Sequence, residues 1–129
     1  MPRKYKVEQS SGYTVLLVDD DPEYLEATRL LLEREGHHVL AAADGPAALD
    51  LLQKEPIDLL LLDYFMPGLN GRQAYEKIKE IDNLVKIFFV TGNVEQLENI
   101  EDDNIIGTMK KPFEYKTLLE IIDENSVKQ

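Results

Sequence analysis

The chain has no cysteine among its 129 residues. That absence excludes disulfides and thiolate metal sites, and it suits a reducing compartment. Long apolar runs are also missing: none approaches the roughly 18 residues that a membrane span requires. The opening stretch, MPRKYKVEQSSG, carries positive charge without an apolar segment, so it does not read as a signal peptide. Basic residues are scarce. Fourteen Lys and Arg stand against 25 Asp and Glu, for a net charge of −11. Beyond residue 12 the imbalance deepens to 11 basic against 24 acidic side chains. Such a surface offers no electrostatic footprint for phosphate backbones, so direct nucleic-acid binding is not expected. Metal cations and basic protein surfaces are its natural company. The expected setting is the cytoplasm, with no membrane partner.

What is present fits one ordinary domain, with 43% hydrophobic and 30% charged residues. We read residues 1–12 as a basic arm, 13–125 as the domain and 126–129 as a tail. Apolar strand-like runs occur at 14–18 (TVLLV), 37–42 (HHVLAA), 57–62 (IDLLLL), 85–90 (VKIFFV) and 104–109 (NIIGTM). Helical patterns lie between them. Pro22 suits a first helical position, and the pattern carrying Leu25 and Leu32 stops at Gly36. Gly45-Pro46 opens a second helix with Ala48, Leu51 and Leu52 on its apolar face, ended by Glu55-Pro56. A third spans Gly71 to Ile81, with Ala74, Ile78 and Ile81 on one side; a short, weakly patterned fourth lies at 94–100. The last runs from Glu114 to about Glu124 and buries Leu118, Leu119, Ile121 and Ile122. Five β-α repeats with short connections predict an α/β fold, a doubly wound parallel sheet covered on both faces. The continuous apolar character of IDLLLL and KIFFV agrees, because strands covered on both sides need not alternate.

In open sheets of this type, ligands bind at the carboxyl ends of the strands. Those ends supply Asp19 and Asp20, then Asp63, then Thr91, then the pair Lys110-Lys111 before Pro112. Each has a bland reading. VDDDP is also a helix N-cap with favourable acidic residues, and Asp21 is read as only that. Asp63 alone could open a turn, Thr91 could merely end a strand, and the lysines could be solvated. Brought to one edge, however, three carboxylates, a hydroxyl and an ammonium make a pocket for a hard cation. With no sulfur ligand and no well-placed histidine, the cation expected is Mg²⁺, which takes one or two carboxylates, keeps waters and accepts phosphate oxygens. Asp63 follows the four-leucine run of IDLLLL, so it should be desolvated and rigid. A carboxylate so placed can attack phosphorus and form an acyl phosphate, with the surrounding cations meeting the phosphoryl oxygens.

The segments VLLVDDDPEY, DLLLLDYFMPGLNG, FFVTGN and MKKPF, in this order and at this spacing, resemble the four signature blocks of the response-regulator receiver domain of two-component signalling. The resemblance covers about residues 13–125. It implies a flavodoxin-like (βα)5 fold with strand order 2-1-3-4-5. It implies that Asp63 is the phospho-acceptor, that Asp19 and Asp20 hold Mg²⁺ with Asp63, and that the Phe65 main-chain carbonyl is a further ligand. Thr91 corresponds to the switch hydroxyl. Lys111, rather than Lys110, corresponds to the lysine before a cis proline. The implied phosphoryl donor is a histidine kinase or a histidine phosphotransfer protein. The receiver itself catalyses the transfer and its own dephosphorylation, without being an enzyme toward other substrates. With no output domain after residue 125, a downstream protein partner is expected to read the signal, unless this is a piece of a longer chain.

Three features depart from the family pattern. Thr108 stands where an aromatic switch residue is usual, the segment from Thr91 to Lys111 is short, and Gly92 replaces the usual small side chain. Thr108 and the weak fourth helix favour an alternative, a receiver-like interaction module without phosphotransfer; the complete acidic pocket argues against it. A haloacid-dehalogenase-type phosphatase would need an acid two residues after Asp63, where this chain has Phe65. No G-x-x-x-x-G-K-[ST] is present, which excludes a P-loop. His37 and His38 are expected at the surface, away from the active edge. Because Phe65 would stand beside the acyl phosphate and hinder attacking water, a long-lived phosphorylated form is expected. A half-life under about a minute, followed by Phos-tag electrophoresis at room temperature, would contradict it.

Overall fold

Three of the five strands run one residue further than their apolar letters. The computed structural model describes residues 12–64, 71–82, 84–92, 104–111 and 115–126. In chain order these form β1 (Thr14–Val18), α1 (Pro22–Arg34), β2 (His38–Ala42), α2 (Gly45–Lys54), β3 (Leu59–Asp63), α3 (Gly71–Ile81), β4 (Lys86–Thr91), β5 (Ile105–Lys110) and α4 (Tyr115–Ser126). Strands β3, β4 and β5 take in Asp63, Thr91 and Lys110 because a ladder is made by the main chain, whatever the side chain: Asp63 pairs with Val90, and Thr91 with Lys110. The short helix expected at 94–100 lies outside the described residues, as do the arm up to residue 11 and the tail from residue 127.

The five strands are all parallel, in the order β2-β1-β3-β4-β5. That is the order 2-1-3-4-5 implied by the resemblance. Side chains alternate along each strand and both faces are covered, so every residue of β3 is buried. One face sends Leu16, Val18, Leu60, Leu62, Ile87 and Phe89 against Ala48 and Leu52 of α2 and Ala74 and Ile78 of α3. The other sends Val15, Leu17, Leu59, Leu61, Phe88 and Val90 against Leu25 and Leu32 of α1 and Leu118 and Ile122 of α4. Each of the valine, leucine, isoleucine and phenylalanine side chains contributes about 1.5–3 kcal/mol by leaving water, and the alanines less. Leu51, Ile81, Leu119 and Ile121, expected in the core, are only half-buried at its margins.

Local chemistry starts and stops the helices where the sequence predicts. Asp21 caps α1, its Oδ1 accepting from the Glu23 and Tyr24 amides at 3.0 and 3.4 Å. Asp44 does the same for α2, accepting from the Ala47 amide at 2.9 Å. Gly36, at φ +96°, lets the chain turn out of α1, where the His37 amide donates to Leu32 O at 3.1 Å. At the far edge, pairing of β4 with β5 shifts register between Ile87 and Phe88. Gly107 sits there with φ +156°, and a Cβ on it would lie 3.0 Å from Phe88 Cε2.

His38 is exposed, but His37 is not the surface residue expected of it. It is half-buried, and its Nδ1 accepts the Tyr13 amide at 3.2 Å. Burial lowers its pKa from 6.5, against the weaker upward pull of Asp123 and Glu35. Accepting at Nδ1 requires the neutral ring.

Two outcomes are expected. Gly107→Ala should cost about 1–3 kcal/mol in urea denaturation, through the positive φ and the crowded Phe88 ring. For His37 the folded pKa is the lower one, so below 6.5 the unfolded chain gains a proton that the folded chain resists. Its contribution is therefore complete above that pH and is lost as pH falls through the window beneath it. The urea midpoint should drop between about pH 7 and pH 5, and His37→Asn should flatten that slope.

Candidate functional site

Parallel strands present their carboxyl ends to one side, and β1, β3 and β4 are neighbours in the sheet or one strand apart. Asp19 follows β1 directly. Its amide donates to Ala42 O at 3.1 Å, continuing the ladder with β2, so its main chain is held in place. The residue is 1% exposed. Oδ1 accepts the Asp21 amide at 2.9 Å, while Oδ2 is paired with the Lys111 ammonium. Asp63 ends β3 and is 6% exposed. Its ladder to Val90 is extended by the Tyr64 amide, which donates to Val90 O at 3.0 Å. Asp20 is exposed, at the mouth.

The three carboxylates Asp19, Asp20 and Asp63 offer oxygens that all lie within 4.8 Å of one another. Thr91, fully buried, ends the adjacent strand, one residue past the partner of Asp63. Lys111 enters from the end of β5, and its amide donates to Thr91 O at 2.7 Å. Its Nζ pairs with Asp19 and lies 3.6 Å from Asp63 Oδ2. Lys110, one residue earlier, is exposed, so strand alternation aims only one of the two lysines at the acids. Phe65 and Pro112 lie outside the described residues.

Sequence reasoning missed Tyr24. It sits in the first turn of α1, half-buried, and the Lys111 Nζ lies 4.7 Å from its ring centroid. Burial, then the nearby negative charge of Asp19, pushes the phenol above its ordinary range, so the ring stays neutral. The only signal was an aromatic three residues after the capping Asp21, which reads equally well as core. Burial pulls the Lys111 pKa down, but its hydrogen bond to Asp19 and the charge of Asp63 outweigh that pull, so the ammonium is held protonated.

The charges decide which cation the site suits. Three carboxylates and one ammonium leave two negative charges in a partly dry pocket, which one divalent ion would neutralise. The donors are hard oxygens, and opposite ligands in a magnesium shell stand about 4.2 Å apart, a spacing these groups reach with small side-chain movements. Asp19, Asp20 and Asp63 are therefore suited to hold Mg²⁺.

Comparison with known proteins matches residues 15–123 to the family model described as the response regulator receiver domain. Response regulator GtcR of Aneurinibacillus migulanus is 34% identical over 107 residues, which cover 78% of this chain and 42% of that protein. Response regulator receiver protein CpdR of Brucella abortus is 33% identical over 112 residues, covering 85% of this chain and 93% of that one. The chain thus spans less than half of GtcR and nearly all of CpdR. Among solved structures, the receiver domain of sensor histidine kinase PA1611 from Pseudomonas aeruginosa, with a magnesium ion coordinated in its active site cleft, superposes with a TM-score of 0.79. The two are 28% identical, over 91% of this chain and 99% of that one.

Because the ammonium occupies Asp19 Oδ2, it competes with a divalent ion for the same oxygen. Calorimetric titration should show Asp19→Asn weakening Mg²⁺ binding about tenfold or more, the scale of losing a carboxylate ligand. Lys111→Met should tighten it about three- to tenfold, by removing the competing charge.

Proposed function

Because the chain belongs to the response regulator receiver family, we propose that Asp63 accepts a phosphoryl group from a phosphohistidine and that the resulting acyl phosphate controls a protein partner. The observation that carries the reading is the meeting of Asp19, Asp20 and Asp63 with the Lys111 ammonium at one edge of the sheet. In the transfer, an Asp63 carboxylate oxygen bonds to phosphorus as the P–N bond breaks, and the donor imidazole leaves with that electron pair. The reverse fate is hydrolysis, in which water attacks phosphorus and restores the carboxylate with release of inorganic phosphate.

Asp63 is suited to attack because β3 holds it rigidly and its burial strips away competing water. Mg²⁺, when bound by Asp19, Asp20 and Asp63, supplies positive charge to the phosphoryl oxygens. Lys111, paired with Asp19 and 3.6 Å from Asp63, would bring a second positive charge to the phosphoryl group. The Thr91 hydroxyl donates to a phosphoryl oxygen and so links the modification to β4. Phosphate then favours whichever conformation binds it better, and that difference is the signal.

In this reading the donor is a histidine kinase or histidine phosphotransfer protein, and a further protein receives the output. The protein catalyses only its own phosphorylation and dephosphorylation and is not an enzyme toward other substrates. No helix among the described residues is long and apolar enough to cross a membrane, which together with the absence of cysteine supports a cytoplasmic setting. One observation favours a second reading, an interaction module without phosphotransfer: Thr108 is exposed and brings no aromatic ring to β5.

Incubation with acetyl phosphate, with and without Mg²⁺, separates the two by intact mass. The wild type should gain one phosphoryl group only when Mg²⁺ is present, and Asp63→Asn should gain none. No gain in the wild type, or an unchanged gain in the variant, would overturn the acceptor reading.

A further inference from the structure

We propose that Tyr24 is a positioning residue, its ring face holding the Lys111 ammonium at the phosphoryl side of the pocket whenever Asp19 is committed to a cation. The inference rests on the acceptor reading and adds to it a residue from outside the acidic cluster.

Among the described residues, the Lys111 ammonium has three charged or aromatic neighbours: Asp19, with which it is paired, Asp63 Oδ2 at 3.6 Å, and the Tyr24 ring centroid at 4.7 Å. The first two are the buried acids of the site. Asp19 Oδ2 cannot serve the ammonium and a divalent ion equally, and Asp63 gives its charge to that ion and then to the bond with phosphorus. A long lysine side chain whose acidic partners are both engaged would be expected to wander into solvent until the phosphoryl oxygens are there to hold it. The ring is the neighbour that changes in neither event.

Its position is also fixed. The Tyr24 amide is tied to the Asp21 cap, and the next amide, that of Leu25, donates to Asp21 O at 3.0 Å. Asp21 itself donates its amide to Asp19 Oδ1. The ring therefore moves with the same short loop that carries the metal-binding acids. From the other side, Lys111 is anchored by its own amide to Thr91 O. A cation over an aromatic face is attracted by the ring quadrupole, and the attraction strengthens where water is excluded. The phenol is held neutral by burial and by Asp19, so the face is available without any ionisation. Tyr24 thus needs its ring for this task and not its hydroxyl.

The test uses the full chain and three variants, Tyr24→Phe, Tyr24→Leu and Lys111→Met, each first checked for an intact fold by thermal unfolding. In metal-free protein, NMR should find the Lys111 ε-methylene protons shifted upfield by the ring in wild type and in Tyr24→Phe, and at ordinary positions in Tyr24→Leu. With acetyl phosphate at saturating Mg²⁺, Tyr24→Leu should accept phosphate about two- to thirtyfold more slowly, the range a ring–cation contact spans. Tyr24→Phe should stay within about twofold of wild type, and the Mg²⁺ affinity of Tyr24→Leu should change less than its rate. In the Lys111→Met background, adding Tyr24→Leu should make no further difference.

An unshifted ε-methylene in wild type would overturn the proposal whether or not Asp63 accepts phosphate. So would a wild-type rate in a folded Tyr24→Leu, or a fall in Tyr24→Phe equal to that in Tyr24→Leu. If the upfield shift is present but wild type gains no phosphoryl group, the acceptor reading fails instead and the positioning role falls with it.

Discussion

Two carboxylates stand where an apolar sheet ends, at 1% and 6% exposure, and the chemistry around them is a consequence of making that tolerable. Taking an ion out of water costs several kcal/mol even after relaxation. Asp19 is compensated from two directions, by the Asp21 amide on one oxygen and by Lys111 on the other. Asp63 shares the same ammonium at longer range. One positive charge among three negative ones is an incomplete solution. The shortfall suits the pocket to a divalent ion, and the surrounding apolar strands limit screening by solvent.

The compensating group is also the one the chemistry requires elsewhere. Paired with Asp19, Lys111 offsets the charge of the buried acids; facing Asp63, it would meet a phosphoryl oxygen in the proposed transfer. One position of the ammonium serves both acids at once, paired with Asp19 and 3.6 Å from Asp63 Oδ2. A ligand or modification that engages one acid would shift that balance. The neighbourhood of Tyr24 matters for this reason, since a neutral ring lowers the cost of moving between charged partners without favouring either strongly.

How much of this could be read from letters depends on which physical quantity the letters encode. Hydrophobic period and capping chemistry are local. The strands at 14–18 and the helix Gly71–Ile81 therefore fall where expected, and Asp21 caps α1. The convergence of the acids was readable because a parallel sheet sends all carboxyl ends to one side. Strand ends were misjudged by one residue where polarity was taken to stop a ladder that only the backbone makes, at Asp63, Thr91 and Lys110. Contacts between distant segments were beyond reach. His37 is sheltered because Tyr13, twenty-four residues earlier, places its amide on the ring. Tyr24 meets Lys111, far along the chain, only because the first turn of α1 and the residue after β5 reach the same edge of the sheet. Gly107 carries no local sign that Phe88 needs its missing side chain; that follows from a register shift in the sheet.

The far edge of the sheet bears on how a change at the pocket could travel. Strand β5 has a partner on one side only, and of its six residues Met109 alone is fully buried. At residue 108 a threonine faces outward, so no ring is there to swing between a buried and an exposed seat. What ties Thr91 to β5 is the main chain: Thr91 pairs with Lys110 in the ladder, and its carbonyl receives the Lys111 amide at 2.7 Å. In the proposed phosphorylated form, a displacement of Thr91 toward the phosphoryl group would pull on the backbone that carries Lys111. A lightly packed edge strand yields to such a pull at lower cost than a central one. The route open from pocket to edge is therefore the hydrogen-bonded backbone between Thr91 and Lys111, with no ring at residue 108 to carry it.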